Sequence, residues 1–274
     1  MSAVNTNPLR ALAGIWRHRQ LVIELTRREV VGRYRGSVAG LAWSFFNPLL
    51  LLVAYTFVFG VVFRARWGGS AASESQAEFA LILFVGLIYH ALMAECVSRA
   101  PMLILNNANF VKKVVFPLEV LPVVTLCAAL FHALISLGVF LIASVLVWGQ
   151  VPLTAIALPF VLAPFLIGVL GATWVLASLG VYLRDIGQSV GIVVLLLMFL
   201  SPIFYPLSAV PESFQPLIRA NPLTYYVEAS RAVLIWGRWP DALALLGQYA
   251  AAGLLAAAGL WWFQRTRAGF ADVI

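Results

Sequence analysis

Lys112 and Lys113 are the only lysines in the chain, and neither follows a glycine-rich loop. A phosphate-binding loop needs its lysine directly after G-x-x-x-x-G, so this sequence does not bind ATP in that way. H-E-x-x-H, G-x-S-x-G and C-x-x-C are absent as well. His18, His90 and His132 are scattered, and Cys96 and Cys127 sit in separate apolar runs as small packing residues. No two acids stand close enough for the Asp-x-Asp metal site of a glycosyltransferase. The expectation is therefore no catalytic residue, no metal and no cofactor held by the chain itself. Ionisable groups inside apolar runs carry a functional hypothesis by default. Here they are Glu95 and Arg99, four apart on one helical face, where they neutralise each other. A proton- or sodium-driven transporter would show unpaired acids in several runs, whereas Glu95 is the only acid well inside one.

A different chemistry, docking, suits residues 106–117, Asn-Asn-Ala-Asn-Phe-Val-Lys-Lys-Val-Val-Phe-Pro. The segment mixes apolar and cationic side chains within a turn or two. A loop that only set topology would not need Phe110, Val111, Val114 and Val115. The pattern fits a short helix seated in a groove on a partner.

The elements that position these residues follow from composition. Of 274 residues, 62% are apolar and 11% charged, against about 45–50% and about 25% in a soluble domain. The class is an all-α integral membrane protein. Six apolar runs reach spanning length, at 38–63, 79–105, 118–148, 151–183, 186–205 and 242–263. Residues 1–37 form a separate N-terminal segment, with seven arginines and no long apolar run to make a cleavable signal. Residues 38–274 form the six-helix membrane domain. Segment 206–241 breaks the pattern with Pro206, Pro211, Pro216, Pro222 and Pro240, yet stays half apolar. It reads either as two helices that dip into the membrane and return, covered by protein, or as an ordinary outer loop. With the N-terminus inside, twelve basic residues fall on the inner side and five on the outer, which places both termini in the cytoplasm. The net charge of +7 comes mostly from 1–37 and does not imply a nucleic-acid partner.

Within 8–28, Leu9, Leu12 and Trp16 recur at helical spacing, with Arg10, Arg17 and Arg19 on other faces. This predicts an amphipathic helix on the membrane surface, its arginines among anionic head groups. Gly32, Gly36 and Gly40 either let helices approach closely or mark a bend. Trp43, Phe46, Tyr55, Phe59, Tyr89, Phe199, Phe204 and Tyr205 are candidates for the lining of a pore, where flat faces with polar tips suit sugar rings.

Residues 33–49 (RYRGSVAGLAWSFFNPL) resemble the start of the first span of ABC-type polysaccharide export permeases, and 113–122 (KVVFPLEVLP) resemble their first cytoplasmic loop. Arg184-Asp185-Ile186, Ser201-Pro202-Ile203-Phe204-Tyr205-Pro206 and Asn221-Pro222-Leu223-Thr224-Tyr225-Tyr226, followed by Glu228 and Arg231, resemble the same family in the same order. That family exports O-antigen, capsule or teichoic acid chains. The resemblance implies a homodimer in the bacterial cytoplasmic (inner) membrane, paired with two separate ATPase subunits that bind ATP and Mg. It implies a lipid-linked polysaccharide substrate, and a coupling helix comprising Phe110, Val111, Lys112, Lys113 and Phe116. Arg184 and Asp185 would form a second coupling element. Pro211, Asn221, Pro222, Tyr225, Glu228 and Arg231 would belong to an outer re-entrant gate, and Leu12, Trp16 and Arg17 to an interface helix. Leu118 departs from the pattern, since these proteins often carry a charged residue there. The competing readings are an ABC permease for a small molecule or lipid, and a membrane-embedded sugar-lipid enzyme.

Overall fold

The computed structural model describes residues 8–62, 67, 75–111 and 116–274; the side chains of 8–12, 41 and 60 lie outside that description. Every regular element among the described residues is helical. In chain order these are α1 (Pro8–Arg17), α2 (Arg19–Arg33), α3 (Trp43–Tyr55), α4 (Gln76–Leu103), α5 (Ala108–Val111), α6 (Val120–Trp148), α7 (Leu158–Tyr182), α8 (Ile186–Leu200), α9 (Gln215–Ala220), α10 (Pro222–Leu234), α11 (Ala242–Thr266) and α12 (Phe270–Val273).

Among the described residues four helices are long and apolar enough to cross a membrane: Gln76–Leu103, Val120–Trp148, Leu153–Tyr182 and Ala242–Val273. The first and fifth apolar runs make shorter helices than their lengths in sequence predict, Trp43–Phe59 and Ile186–Leu200. Both have local causes. Ahead of α3, Gly36 and Gly40 adopt φ of 85° and 51°, which only glycine takes without strain, and the chain turns there instead of extending a helix. A Cβ on either glycine would meet nothing within 4 Å, so within the chain they mark a bend and not a close helix contact. At the far end of α8, Pro202 disfavours helical backbone at the residue before it, and Ser201 is extended, with φ −95° and ψ 151°. At about 1.5 Å per residue, the 15 residues of α8 reach only about 22 Å.

The ends of the long helices are written locally. Ser75 and Glu78 close a capping box at the start of α4, satisfying two of its otherwise orphaned N–H groups. Gly149 ends α6 in the left-handed conformation, and Asp241 caps α11 through Leu243 N and Ala244 N. Helix α4 is the central member, packed by α6, α7, α8 and α10, and its stretch from Phe79 to Gly86 is wholly buried. Helices α7 and α11 touch backbone to backbone: a Cβ on Gly171 would sit 2.7 Å from Ala256 N. The N-terminal segment is two helices broken at His18, longer than the 8–28 expected. Val22 and Val30 of α2 are buried, Val22 packing against Val120 and Val124 of α6.

Candidate functional site

The break after α8 is built into the protein interior. Ser201, Pro202 and Ile203 are buried, and their backbone groups need partners. Arg231 of α10 supplies the partners of two of their carbonyls. Its side chain is fully buried and donates from Nη1 to Pro202 O (2.5 Å), from Nη2 to Ile203 O (3.0 Å) and from Nε to Ile82 O of α4 (3.0 Å). Nη1 also donates to Glu228 (2.8 Å), and the guanidinium lies 4.2 Å from the centre of the Trp67 ring. One cation thus ties α10, α4 and the end of α8 together, compensated by a carboxylate, three carbonyl dipoles and an aromatic face. Gly86 makes room for it, since a Cβ there would stand 3.2 Å from Arg231 Nη2.

The neighbouring polar groups follow the same rule. Asn221 caps α10 through Leu223 N (2.9 Å) and donates to Ser201 Oγ (3.0 Å), while Pro222 occupies the first turn, where no N–H is missed. Thr224 donates to Ile218 O (2.5 Å), Thr154 to Val233 O (2.7 Å) and Ser230 to the Tyr89 hydroxyl (2.6 Å). Tyr225 stands edge-on to Tyr226, and Pro211 is exposed in the turn before α9. Among the expected gate residues, Asn221, Pro222, Glu228 and Arg231 form one connected cluster and Pro211 lies apart from it.

The aromatic candidates separate into two groups along α3. Phe59 stacks on Phe204 at 5.3 Å and on Tyr55 at 6.1 Å, Phe199 lies 6.1 Å from Phe204, and the Tyr205 hydroxyl donates to Phe199 O. Trp43 and Phe46 meet edge-on at the other end of α3, and both are exposed. Tyr89 does not join either group. It is 4% exposed, its ring against Phe165 at 4.9 Å, so it belongs to the core and not to a lining.

At the opposite end of the helices, Phe110 and Phe116 stack face to face at 4.3 Å. Both pack, with Val111 and Ile15 of α1, on a cluster of Leu103, Ile104, Leu118, Trp174, Val181 and Phe270. Leu118, apolar where a charge was expected by resemblance, is buried there at 7% exposure. Lys112 and Lys113 lie outside the described residues. Arg184 and Asp185 are exposed in the tight turn between α7 and α8.

The sequence matches the family model of the ABC-2 type transporter over residues 20–235. The chain belongs to the ABC-2 type transporter family. It is 31% identical to the O-antigen export system permease protein RfbA of Myxococcus xanthus, over 97% of this chain and 100% of that protein. It is 26% identical to a Klebsiella pneumoniae protein of the same name, over 93% of this chain and 95% of that one.

In this ABC-2 transporter chain the Glu95–Arg99 pair is present at 3.4 Å but is not self-contained. Glu95 also accepts from Arg33, and Arg99 pairs with Glu29 at 2.6 Å, so two acids and two arginines link α2 to α4. Burial lowers the Arg33 pKa, but its hydrogen bond to Glu95 and that carboxylate's charge outweigh this, and the net shift is upward. Tyr34 extends the link to His132 of α6 at 3.3 Å. Trp16 and Arg17 of α1 are exposed, with Arg19 over the Trp16 ring; the side chain of Leu12 lies outside the description. Sequence reasoning missed Gly86, Trp67, Glu29 and Arg33 as partners. Arg231 was named by the resemblance alone, and its carbonyl acceptors carried no signal in the sequence.

Proposed function

We propose that the chain is the membrane-spanning permease of an ATP-driven exporter of a lipid-linked, O-antigen-like polysaccharide. The observation that carries this is the end-to-end similarity to relatives named as O-antigen export permeases. The permease does no ATP chemistry of its own. A separate ATPase subunit binds ATP and Mg and acts on the end of the bundle that carries Phe110, Phe116 and the Arg184–Asp185 turn. ATP binding biases the permease between closed and open arrangements only to the extent that the motor engages those loops differently in the two.

In this reading the chain crosses the cytoplasmic membrane six times, with the shorter helices α3 and α8 completing the count. Both termini are cytoplasmic, and a second copy completes the conduit. The grouping of Tyr55, Phe59, Phe199 and Phe204 suits a lining on which sugar rings slide without tight binding. The break after α8, with α9 and α10, is the re-entrant outer gate. Its support is the burial of that break in protein, with Arg231 pairing the carbonyls of Pro202 and Ile203, since irregular chain is tolerated at membrane depth only where protein covers it. The amphipathic α1, with Trp16 and Arg17 outward, lies on the inner membrane surface.

The test is co-purification with the ATPase subunit, followed by ATPase assay with and without lipid-linked glycan. Glycan should stimulate hydrolysis, and Lys112→Glu combined with Lys113→Glu should lower that stimulation while leaving membrane insertion intact. Activity of the permease without any ATPase, or unchanged stimulation in the double variant, contradicts the reading.

A further inference from the structure

We infer that the C-terminal segment from Gln264 onward is a brace that joins the two cytoplasmic loops, making Arg267, Thr266 and Phe270 positioning residues for coupling. This deepens the proposed function and rests on its assignment of Phe110, Phe116 and the Arg184–Asp185 turn as the surfaces the motor acts on.

Helix α11 does not run out into solvent. A short 3-10 turn at Arg267–Gly269 carries the helical chain on into α12, and Phe270, a large apolar residue of that last turn, is at 0% exposure. Phe270 packs edge-on to Phe263 at 5.5 Å and shares a cluster with Leu103, Ile104 and Leu118, against which Phe110 and Phe116 also rest. The first loop is therefore backed by α12. Its exit residue is also fixed by polar bonds. Glu119 is 7% exposed; its carboxylate accepts from Arg267 at 2.9 Å, and its carbonyl accepts from Trp174 Nε1 at 3.1 Å. Arg267 is itself oriented by Gln264 Oε1 at 3.0 Å.

The same segment holds the second loop. Tyr182, the last residue of α7, donates from its hydroxyl to Thr266 O at 2.8 Å, and Thr266 Oγ1 lies 2.6 Å from Ser178 Oγ. Gly269 sits directly under that hydroxyl, since a Cβ there would be 2.7 Å from it. Leu183, Arg184 and Asp185 follow Tyr182 immediately. Stacked rings, a half-buried ion pair and two hydroxyl bonds make a stiff link, because packed interiors transmit displacement instead of absorbing it. A push by the motor on Phe110–Phe116 is then shared with the 183–185 turn, and the two loops respond as one body.

The test uses the full-length permease reconstituted with its ATPase subunit. Four quantities are read: co-purified ATPase, basal hydrolysis, glycan-stimulated hydrolysis and transport. Arg267→Glu, Glu119→Arg and Phe270→Ala should each lower stimulation and transport by about 3- to 10-fold, with basal hydrolysis and co-purification unchanged. Combining Arg267→Glu with Glu119→Arg should restore much of the loss, while the unchanged co-purification and basal hydrolysis are what a merely structural role would not predict. Tyr182→Phe keeps the ring and removes one bond; it should lower stimulation by at least about twofold and decides the question if the charge reversals do not accumulate. Wild-type stimulation in Tyr182→Phe and in the accumulating single variants overturns the brace, as does a double reversal no better than either single. A wild-type complex that glycan does not stimulate overturns the exporter reading instead.

Discussion

Arg231 offers the most discriminating perturbation, because two accounts of it predict different costs. If it is retained for its ion pair, then removing either partner is equally damaging, and Glu228→Gln strands a buried cation at a cost of about 3–5 kcal/mol. If it is retained for the broken backbone, the carbonyls matter more. Arg231→Met keeps much of the side-chain volume but leaves Ile82 O, Pro202 O and Ile203 O without their donor. At about 1–3 kcal/mol per buried group left unpaired, the loss is about 3–9 kcal/mol, comparable with the entire stability of about 5–15 kcal/mol of a typical fold. Glu228→Gln keeps a hydrogen-bond acceptor, and at 31% side-chain exposure its charge is partly screened, so its cost is about 1 kcal/mol. The assay is the amount of folded permease in the membrane fraction and its thermal midpoint after detergent extraction. Arg231→Met should be nearly absent or melt far below wild type, Arg231→Lys should fall close to it because one ammonium does not span three acceptors, and Glu228→Gln should resemble wild type. Equal losses in Arg231→Met and Glu228→Gln would refute the backbone account.

Further outcomes follow from other contacts. Gly171→Val forces a branched side chain onto the α11 backbone beside Ala256 and should prevent accumulation, while Gly138→Ala, where a Cβ meets nothing, should be silent in the same measurement. Glu95→Gln weakens two links between α2 and α4, each worth about 1 kcal/mol or less at this exposure; limited trypsin cleavage at Arg27 and Arg28 should become faster while the long helices stay protected. Trp16→Ala removes an exposed apolar anchor from α1, so a peptide of residues 8–28 should bind anionic vesicles several-fold more weakly; unchanged binding would count against a surface-lying helix.

The helices that cross the bundle were legible because apolar runs closed by arginine or glycine leave few alternatives, as at Gly149 and Arg184. The irregular segment 206–241 was legible from its prolines, and Pro202 also explains why the fifth helix is shorter than its apolar run. What Arg231 does was not legible. In sequence it counts as one more basic residue of an outer loop, because its acceptors at Ile82, Pro202 and Ile203 meet it only through packing of separate elements. Gly86 carries no signal of its own, since the need for a small residue arises from what folds against it. Glu95 and Arg99 show the limit of local spacing: their i, i+4 relation is real, but stronger partners, Arg33 and Glu29, come from a helix that sequence periodicity leaves undocked. Tyr89 shows the converse, an aromatic whose hydroxyl suggested a lumen but is taken by Ser230 inside the core.

The central claim is that this chain provides the path and a separate ATPase the energy for moving a lipid-linked polysaccharide. Its most direct test is glycan translocation in sealed proteoliposomes containing the permease with and without its ATPase subunit. The account predicts translocation only when both subunits and hydrolysable ATP are present. Translocation by the permease alone, or steady ATP hydrolysis by the complete complex without movement of the glycan, would contradict it.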